Sequence, residues 1–366
     1  MEGLAFDHLV QALHQQLAAL PDSRQGKNPR YAIKDAALGA FAVFFTQSPS
    51  FVAYQRTMQP AKGRSNAESL FGMGDLPCDN QIRTLLDPVA PAQLFPVFAE
   101  VYAALEEAGQ LSSWRGFTDQ LRIALDGTEY FASKEIHCAR CSQRTPANGQ
   151  VTYFHQAITP VIVAPGRHEV ISLEPEFITP QDGHAKQDWE QVAAKRWIER
   201  QAGRYQQVTI FGADLYCKQP FCERLLDHGV NFILVCKPDS HKTLYDWMAT
   251  LEDAGDLPHW SIRRWNGRFH EVYTYRYATD VPVREGEDAL WVNWCERTIT
   301  TATDGTIRYR NAFATKHPWD RTNVETVVQA GRARWKIENE NNNTLKTNGD
   351  HLDHNYGHGK QHLSAV

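Results

Sequence analysis

No apolar run in the chain approaches the ~18 residues that a membrane-spanning helix needs, so no transmembrane segment is expected. The opening stretch MEGLAFDHLVQALHQQLAAL has neither a basic n-region nor a small-residue cleavage site, so no signal peptide is expected either. Cysteine is sparse, with seven in 366 residues. An odd number scattered over so long a chain argues against a disulfide framework and fits a reducing cytoplasm. Surplus positive charge is missing as well. The formal net charge is −5, so the protein does not coat nucleic acid by bulk charge, and DNA contact would need a local basic surface. No internal repeat and no long low-complexity segment is present.

What is there reads as a globular chain, 42% hydrophobic and 22% charged, with ten tryptophans and 17 phenylalanines to build a core. Its length suits two domains, or one with a large insertion. Leu9, Leu13, Leu17 and Leu20 follow Phe6 at helical spacing. A basic turn with Arg24, Lys27 and Arg30 precedes IKDAALGAFAVFFTQ, which predicts a buried helix. Shorter helices continue, one of them N-capped by Asp79. Residues 1–115 are therefore expected to form a helical, possible DNA-binding region. From about 120 the pattern changes: LRIALD, TYFHQAITPVIVAP and HEVISLEPEFI predict three strands. QDWEQVAAKRWIERQAGRY predicts a helix, QVTIFGADLY a strand, PFCERLLDHG a helix and NFILVCKP a strand. Residues 240–315 read as a β-rich insertion with turns at Asn266-Gly267 and Asp304-Gly305, before VETVVQAGRARWKIENENNNTLK returns to helix.

Two strands end in aspartate, Asp126 in ALDGTEY and Asp214 in GADLY. At the carboxyl ends of neighbouring strands in an α/β sheet, such groups converge on one crevice. Two carboxylates there repel, and a hard divalent cation, Mg²⁺ or Mn²⁺, resolves the conflict. The plainer alternative for each is an Asx-turn or a helix cap.

Together, ALDGTEYF, GADLYCKQPFCERLLDHGVNFILVCKP and RARWKIENENNNTLK resemble the three acidic motifs of DDE transposases from bacterial insertion sequences, the unclassified ISNCY-type branch in particular. The resemblance runs from LPDSRQGKNPRYAIKDAALGAFAVFF through PEFITPQDG to NYGHGKQHLS. It implies an α/β fold with a ribonuclease-H-like mixed-sheet core, formed by residues 116–366 and interrupted by an antiparallel β insertion at 240–315. It implies Asp126, Asp214 and Glu338 as a catalytic triad binding two Mg²⁺ or Mn²⁺ ions, with Arg334 and Lys346 on DNA. Gly331 stands where related families carry tyrosine, and Leu345 where they carry lysine, so Glu340 rivals Glu338 as third acid. The two point about 200° apart on an α-helix, so only one enters a site.

IHCARC carries Cys138 and Cys141 at zinc-ligand spacing, and His155 or His168 offers a further ligand. No second CxxC exists, so a reduced loop is favoured over structural zinc. His351, His354, His358 and His362 lie in a glycine-interrupted tail, expected to be solvated or DNA-facing rather than a metal site. Arg263 and Arg264 in the insertion, among Trp260, Trp265, Tyr273 and Tyr275, suit phosphate contact and stacking. The resulting expectation is a cytoplasmic, bacterial, Mg²⁺-dependent transposase, nucleoid-associated when bound, that cleaves and joins double-stranded DNA as a homo-oligomer. A structure-dependent nuclease on the same core is one alternative. A truncated, inactive DNA-binding relic is the other, since 28 residues follow Glu338 where related transposases carry a further apolar helix.

Overall fold

A computed structural model describes residues 6–24, 30–147, 149–180, 190–201, 203–205 and 207–366. Lys27 and the 181–189 part of the quoted segments lie outside them. Six helices come first: α1 (Phe6–Ala18), α2 (Ile33–Phe45), α3 (Phe51–Met58), α4 (Ala61–Phe71), α5 (Asp79–Leu86) and α6 (Phe95–Glu107). α1–α5 bury Leu17, Leu20, Leu38, Val43, Tyr54 and Ile82 in one cluster. α2 is not buried all round; Phe41, Phe44 and Phe45 reach the surface. Ser50 caps α3 by accepting the Ala53 N–H at 3.1 Å. The cap expected of Asp79 falls to Cys78, with Asp79 in the first turn, where the helix dipole favours an acid.

The α/β part contains β1 (Leu121–Ala124), β2 (Gly127–Ser133), β3 (Ser142–Arg144), β4 (Thr152–Ile158), β5 (Val161–Ile162), β6 (Ile171–Ser172) and β7 (Glu176–Ile178). Then come α7 (Glu190–Gln201), β8 (Val208–Gly212), α8 (Gln219–Asp227), β9 (Asn231–Val235) and α9 (Lys242–Asp253). β10 (His259–Trp265), β11 (His270–Pro282), β12 (Trp291–Thr301) and β13 (Ile307–Thr315) lead to α10 (Val324–Arg332) and α11 (Asn343–Thr347). Nine strands form one mixed sheet in the order β10-β11-β12-β13-β9-β8-β1-β5-β6. β1, β8 and β9 are parallel, while β5 and β6 add on antiparallel beyond β1.

Period-two alternation sends side chains to both faces. Ile123, Ile210, Phe232 and Leu234 face α7 and α8, where Trp197, Ile198, Phe221 and Leu225 cover them. Ala124, Phe211, Ile233 and Val235 face α10, under Val324, Val327 and Val328. A Cβ on Gly331 would lie 2.8 Å from Phe313 and 2.9 Å from Ile233, so the seat of α10 on the sheet requires glycine there.

Several boundaries differ from the sequence reading. TYFHQAITPVIVAP splits at Thr159-Pro160 into β4 and β5, which belong to different sheets. HEVISLEPEFI splits near Pro175 into β6 and β7. Proline has no N–H for the ladder, so the chain leaves one sheet and enters the other there. β2, β3, β4 and β7 make a four-stranded second sheet. The 240–315 insertion starts with a helix, α9, and is continuous with the core because β13 pairs with β9. α6 and the following turn also serve the α/β core, with Tyr102, Leu111 and Trp114 packed into it.

The asparagines after Glu338 have a structural job. Residues Ile337–Asn342 form one turn of π-helix, and Asn341 and Asn342 are buried. Thr159 donates to Asn342 Oδ1 at 2.7 Å, Ser172 donates to Asn341 Oδ1 at 2.9 Å, and Asn341 Nδ2 donates to Asn342 Oδ1 at 3.0 Å. These bonds fix the π-helix against the β4–β5 link and β6. Asn342→Leu is expected to strand the Thr159 hydroxyl and the Asn341 amide and to destabilise the fold by about 1–3 kcal/mol. Denaturant unfolding reads this directly, and a loss below about 0.5 kcal/mol, as at an ordinary surface position, would contradict the role.

Candidate functional site

Ala124 pairs with Phe211 in parallel register, so Asp126 and Asp214 leave the sheet at the same end. Continuing that register sets Asp126 level with Ala213 and Asp214 one residue beyond. Alternation then turns the two side chains to different sides. The Asp214 carboxylate accepts the Lys237 N–H at 2.7 Å and the Ser240 hydroxyl at 2.6 Å, and lies 3.4 Å from His241 Nδ1. It therefore serves the turn after β9 rather than the Asp126 crevice.

Asp126 faces the opposite group. Arg334, on the tight turn after α10, has Nη1 at 2.8 Å from Glu338 Oε1 and 4.0 Å from Asp126 Oδ1. A third carboxylate comes from Glu190 at the start of α7: it accepts the Gly127 N–H at 3.2 Å and the Tyr216 hydroxyl at 2.5 Å. Burial pushes the Asp126 carboxyl up to about 7; Arg334 opposes this, and Glu190 and Glu338 add to it. Burial likewise raises the Tyr216 hydroxyl far above its ordinary value, with Glu190 reinforcing the shift, so it stays a donor.

Asp126 and Glu338 thus share one arginine, Glu190 adds its charge beside Asp126, and the Asp126 carboxyl keeps its proton up to about pH 7. Oxygen-only donors of this kind fit a hard divalent cation, which would relieve their repulsion. Asp214 stands outside the set. Among the described residues no three carboxylates bring one oxygen each within 4.8 Å of one another. Glu340 lies 3.6 Å from His168 Nδ1, on a different side of the π-helix from the Arg334–Glu338 pair. Glu190 does not stand out in the sequence, where it is one acid among several in an amphipathic helix. Only the fold brings it to Asp126.

The basic residues sort differently from their sequence grouping. Arg264 is held by Glu325 through bonds of 2.5 and 2.9 Å, whereas Arg263, its neighbour in β10, points to the other face and is exposed. Lys346 lies half-buried on α11. Beside Arg334 opens a cleft of 470 Å³ lined by Arg297, Arg332, Trp335 and Lys336 with Tyr273. Arg297 is 2% exposed, and its Nε and Nη2 have no hydrogen-bond partner. Buried N–H groups without an acceptor are costly, and an anion in the cleft would satisfy these two.

Among the described residues two Cys/His groups bring their ligand atoms within 4.8 Å of one another: Cys138, Cys141, His155 and His358, and the buried trio Cys217, Cys236 and His241. In the trio His241 Nε2 already lies 2.5 Å from the Cys217 carbonyl oxygen. No single helix among the described residues is long and apolar enough to cross a membrane. No protein-family model matches the chain, and no curated protein matches it.

Proposed function

We propose that this protein is a DDE-type transposase, a metal-dependent enzyme that cleaves DNA strands and joins them to a target, on a ribonuclease-H-like core. The observation that carries the reading is the convergence of Asp126 and Glu338 on Arg334 at the carboxyl end of β1, with Glu190 adding its charge beside Asp126. The unit β6-β5-β1-β8-β9, with three parallel strands and an antiparallel pair, supports the reading of the core. Asp126 and Glu338 would hold the cation, with Glu190 beside them; Asp214 joins only if its carboxylate leaves Lys237 and Ser240. A divalent cation there supplies polarisation of a phosphodiester oxygen and a more acidic attacking hydroxyl. Arg334 balances the acids and orients Glu338 one turn away.

In the first step water attacks phosphorus and the P–O3′ bond breaks, leaving a 5′-phosphate and a 3′-hydroxyl. In the second, that hydroxyl attacks a target phosphodiester. One P–O bond forms for each that breaks, so neither a nucleotide cofactor nor a covalent enzyme intermediate is needed. Duplex DNA taken from either side of the protein's own reading frame tests the reading. Mg²⁺-dependent nicking followed by joining to a second duplex is expected; nicking without joining favours a nuclease, and neither activity favours an inactive DNA-binding relic.

The cleft around Arg297 lies along the same helical segment and suits the DNA backbone. Every phosphate that a cationic side chain neutralises on B-DNA adds about 0.9 to the salt slope of binding. Arg332→Ala is expected to weaken binding and flatten the slope by about that amount. Arg264→Ala should change the slope little, because Glu325 already neutralises that charge. A salt series of binding isotherms decides; an unchanged slope in Arg332→Ala would remove the cleft from the DNA path.

A further inference from the structure

Cys138 and Cys141 lie in the loop between β2 and β3, and His155 lies on β4. The fourth member, His358, comes from the tail, 203 residues from His155. Cys138 Sγ and Cys141 Sγ are 3.8 Å apart. His155 Nε2 is 3.5 Å from Cys138 Sγ, 3.3 Å from Cys141 Sγ and 3.3 Å from His358 Nδ1. A tetrahedral zinc ion with Zn–S near 2.3 Å and Zn–N near 2.05 Å requires S···S ~3.8 Å, S···N ~3.6 Å and N···N ~3.3 Å. All four distances fall within about 0.3 Å of those values. The sulfur separation is far too long for a disulfide, whose S–S bond is about 2.05 Å.

We propose that Cys138, Cys141, His155 and His358 hold one Zn²⁺ ion. Two thiolates and two neutral imidazoles balance its charge, which allows the centre to sit where Cys141 and His155 are 3% exposed. The S₂N₂ donor set selects zinc over the hard cation of the acidic site. The Cys138 N–H lies 3.3 Å from Cys141 Sγ and supports a thiolate there. Phe131 packs edge-on against the His358 ring, and Tyr130 stacks on His155, fixing both ligands. Four protein ligands close the site, so its role is structural.

The centre clamps the tail. On one side of His358, Tyr356 packs against Phe44 and Phe51 of the helical region. On the other, the Asp87 carboxylate accepts the N–H groups of Lys360, Gln361 and Leu363 at 2.8 to 3.1 Å. The zinc ion therefore joins the second sheet to the helical region through the tail. His358 packs against Phe131 and His155 rather than standing in solvent as expected, and His168 faces Glu340. His155 and His358 line a 340 Å³ cavity.

The test uses the full-length protein purified without chelators. Elemental analysis is expected to find zinc, and His358→Ala and Cys141→Ser should each lose one equivalent, whereas His354→Ala keeps it. Cobalt loaded in place of zinc should give the intense visible absorption of a tetrahedral thiolate site, absent in His358→Ala. Limited proteolysis of His358→Ala should cut the tail far faster than in the parent while the α/β core stays intact. If Cys141→Ser does not fold, His358→Ala still decides, because the Asp87 contacts remain. Equal zinc in the parent and His358→Ala, iron in place of zinc, or a Cys138–Cys141 disulfide in the purified protein would overturn the assignment.

Discussion

Asp126→Asn is expected to cut Mg²⁺-dependent strand cleavage and joining by at least about 10²–10³-fold, the scale for losing one preorganised electrostatic group. DNA binding should survive, because the phosphate contacts are assigned to the Arg297 cleft and not to the acids. The same change should leave a mark on stability with the opposite sign. Burial lifts the Asp126 carboxyl from 3.8 to about 7. Between about pH 4 and 7 the folded chain keeps a proton that the unfolded chain has released, so stability falls as pH rises through that window and stays lower above it. An amide has no proton to release. Without added Mg²⁺, Asp126→Asn should therefore be the more stable chain at about pH 8, and the advantage should fade towards pH 4. Thermal unfolding across pH measures this. An inactive variant that is also less stable at every pH would point to a damaged fold rather than a missing metal ligand.

Glu338→Gln is expected to be nearly as severe for activity, and Glu340→Gln nearly silent. Glu338 shares Arg334 with Asp126, whereas Glu340 lies beside His168. Without the Glu338 charge, Arg334 is also free to pair more closely with Asp126 and block it. The measurement is strand joining by the two variants side by side. Loss in Glu340→Gln with Glu338→Gln unaffected would shift the third acid and keep the chemistry. Loss in neither would remove the helix from the site.

The central strands and the end of the sheet at which their aspartates emerge were legible in sequence, because each is a short, mostly apolar and β-branched run that ends at an aspartate. The helix bearing Glu338 was legible too, through its arginine one turn earlier. Other features depend on contacts that no local pattern encodes. The direction of the Asp214 side chain follows from a one-residue register offset between β1 and β8. Glu190 reaches Asp126 only because α7 packs across the sheet. The π-helix follows from buried amides bonded to Thr159 and Ser172, residues more than 160 positions away. Arg264 looked like its neighbour Arg263 until α10 supplied Glu325. The CxxC pair was visible, but its fourth ligand lies 203 residues beyond His155, in a tail whose glycines suggested solvent.

Crystals soaked in Mn²⁺ test the acidic site most directly, with diffraction recorded above the manganese absorption edge and below that of zinc. An anomalous peak is expected in contact with the carboxylates of Asp126 and Glu338, and the same crystals of Asp126→Asn should lack it. A peak bound elsewhere, or one that persists unchanged in Asp126→Asn, would contradict a cation-dependent phosphoryl-transfer site at the end of β1.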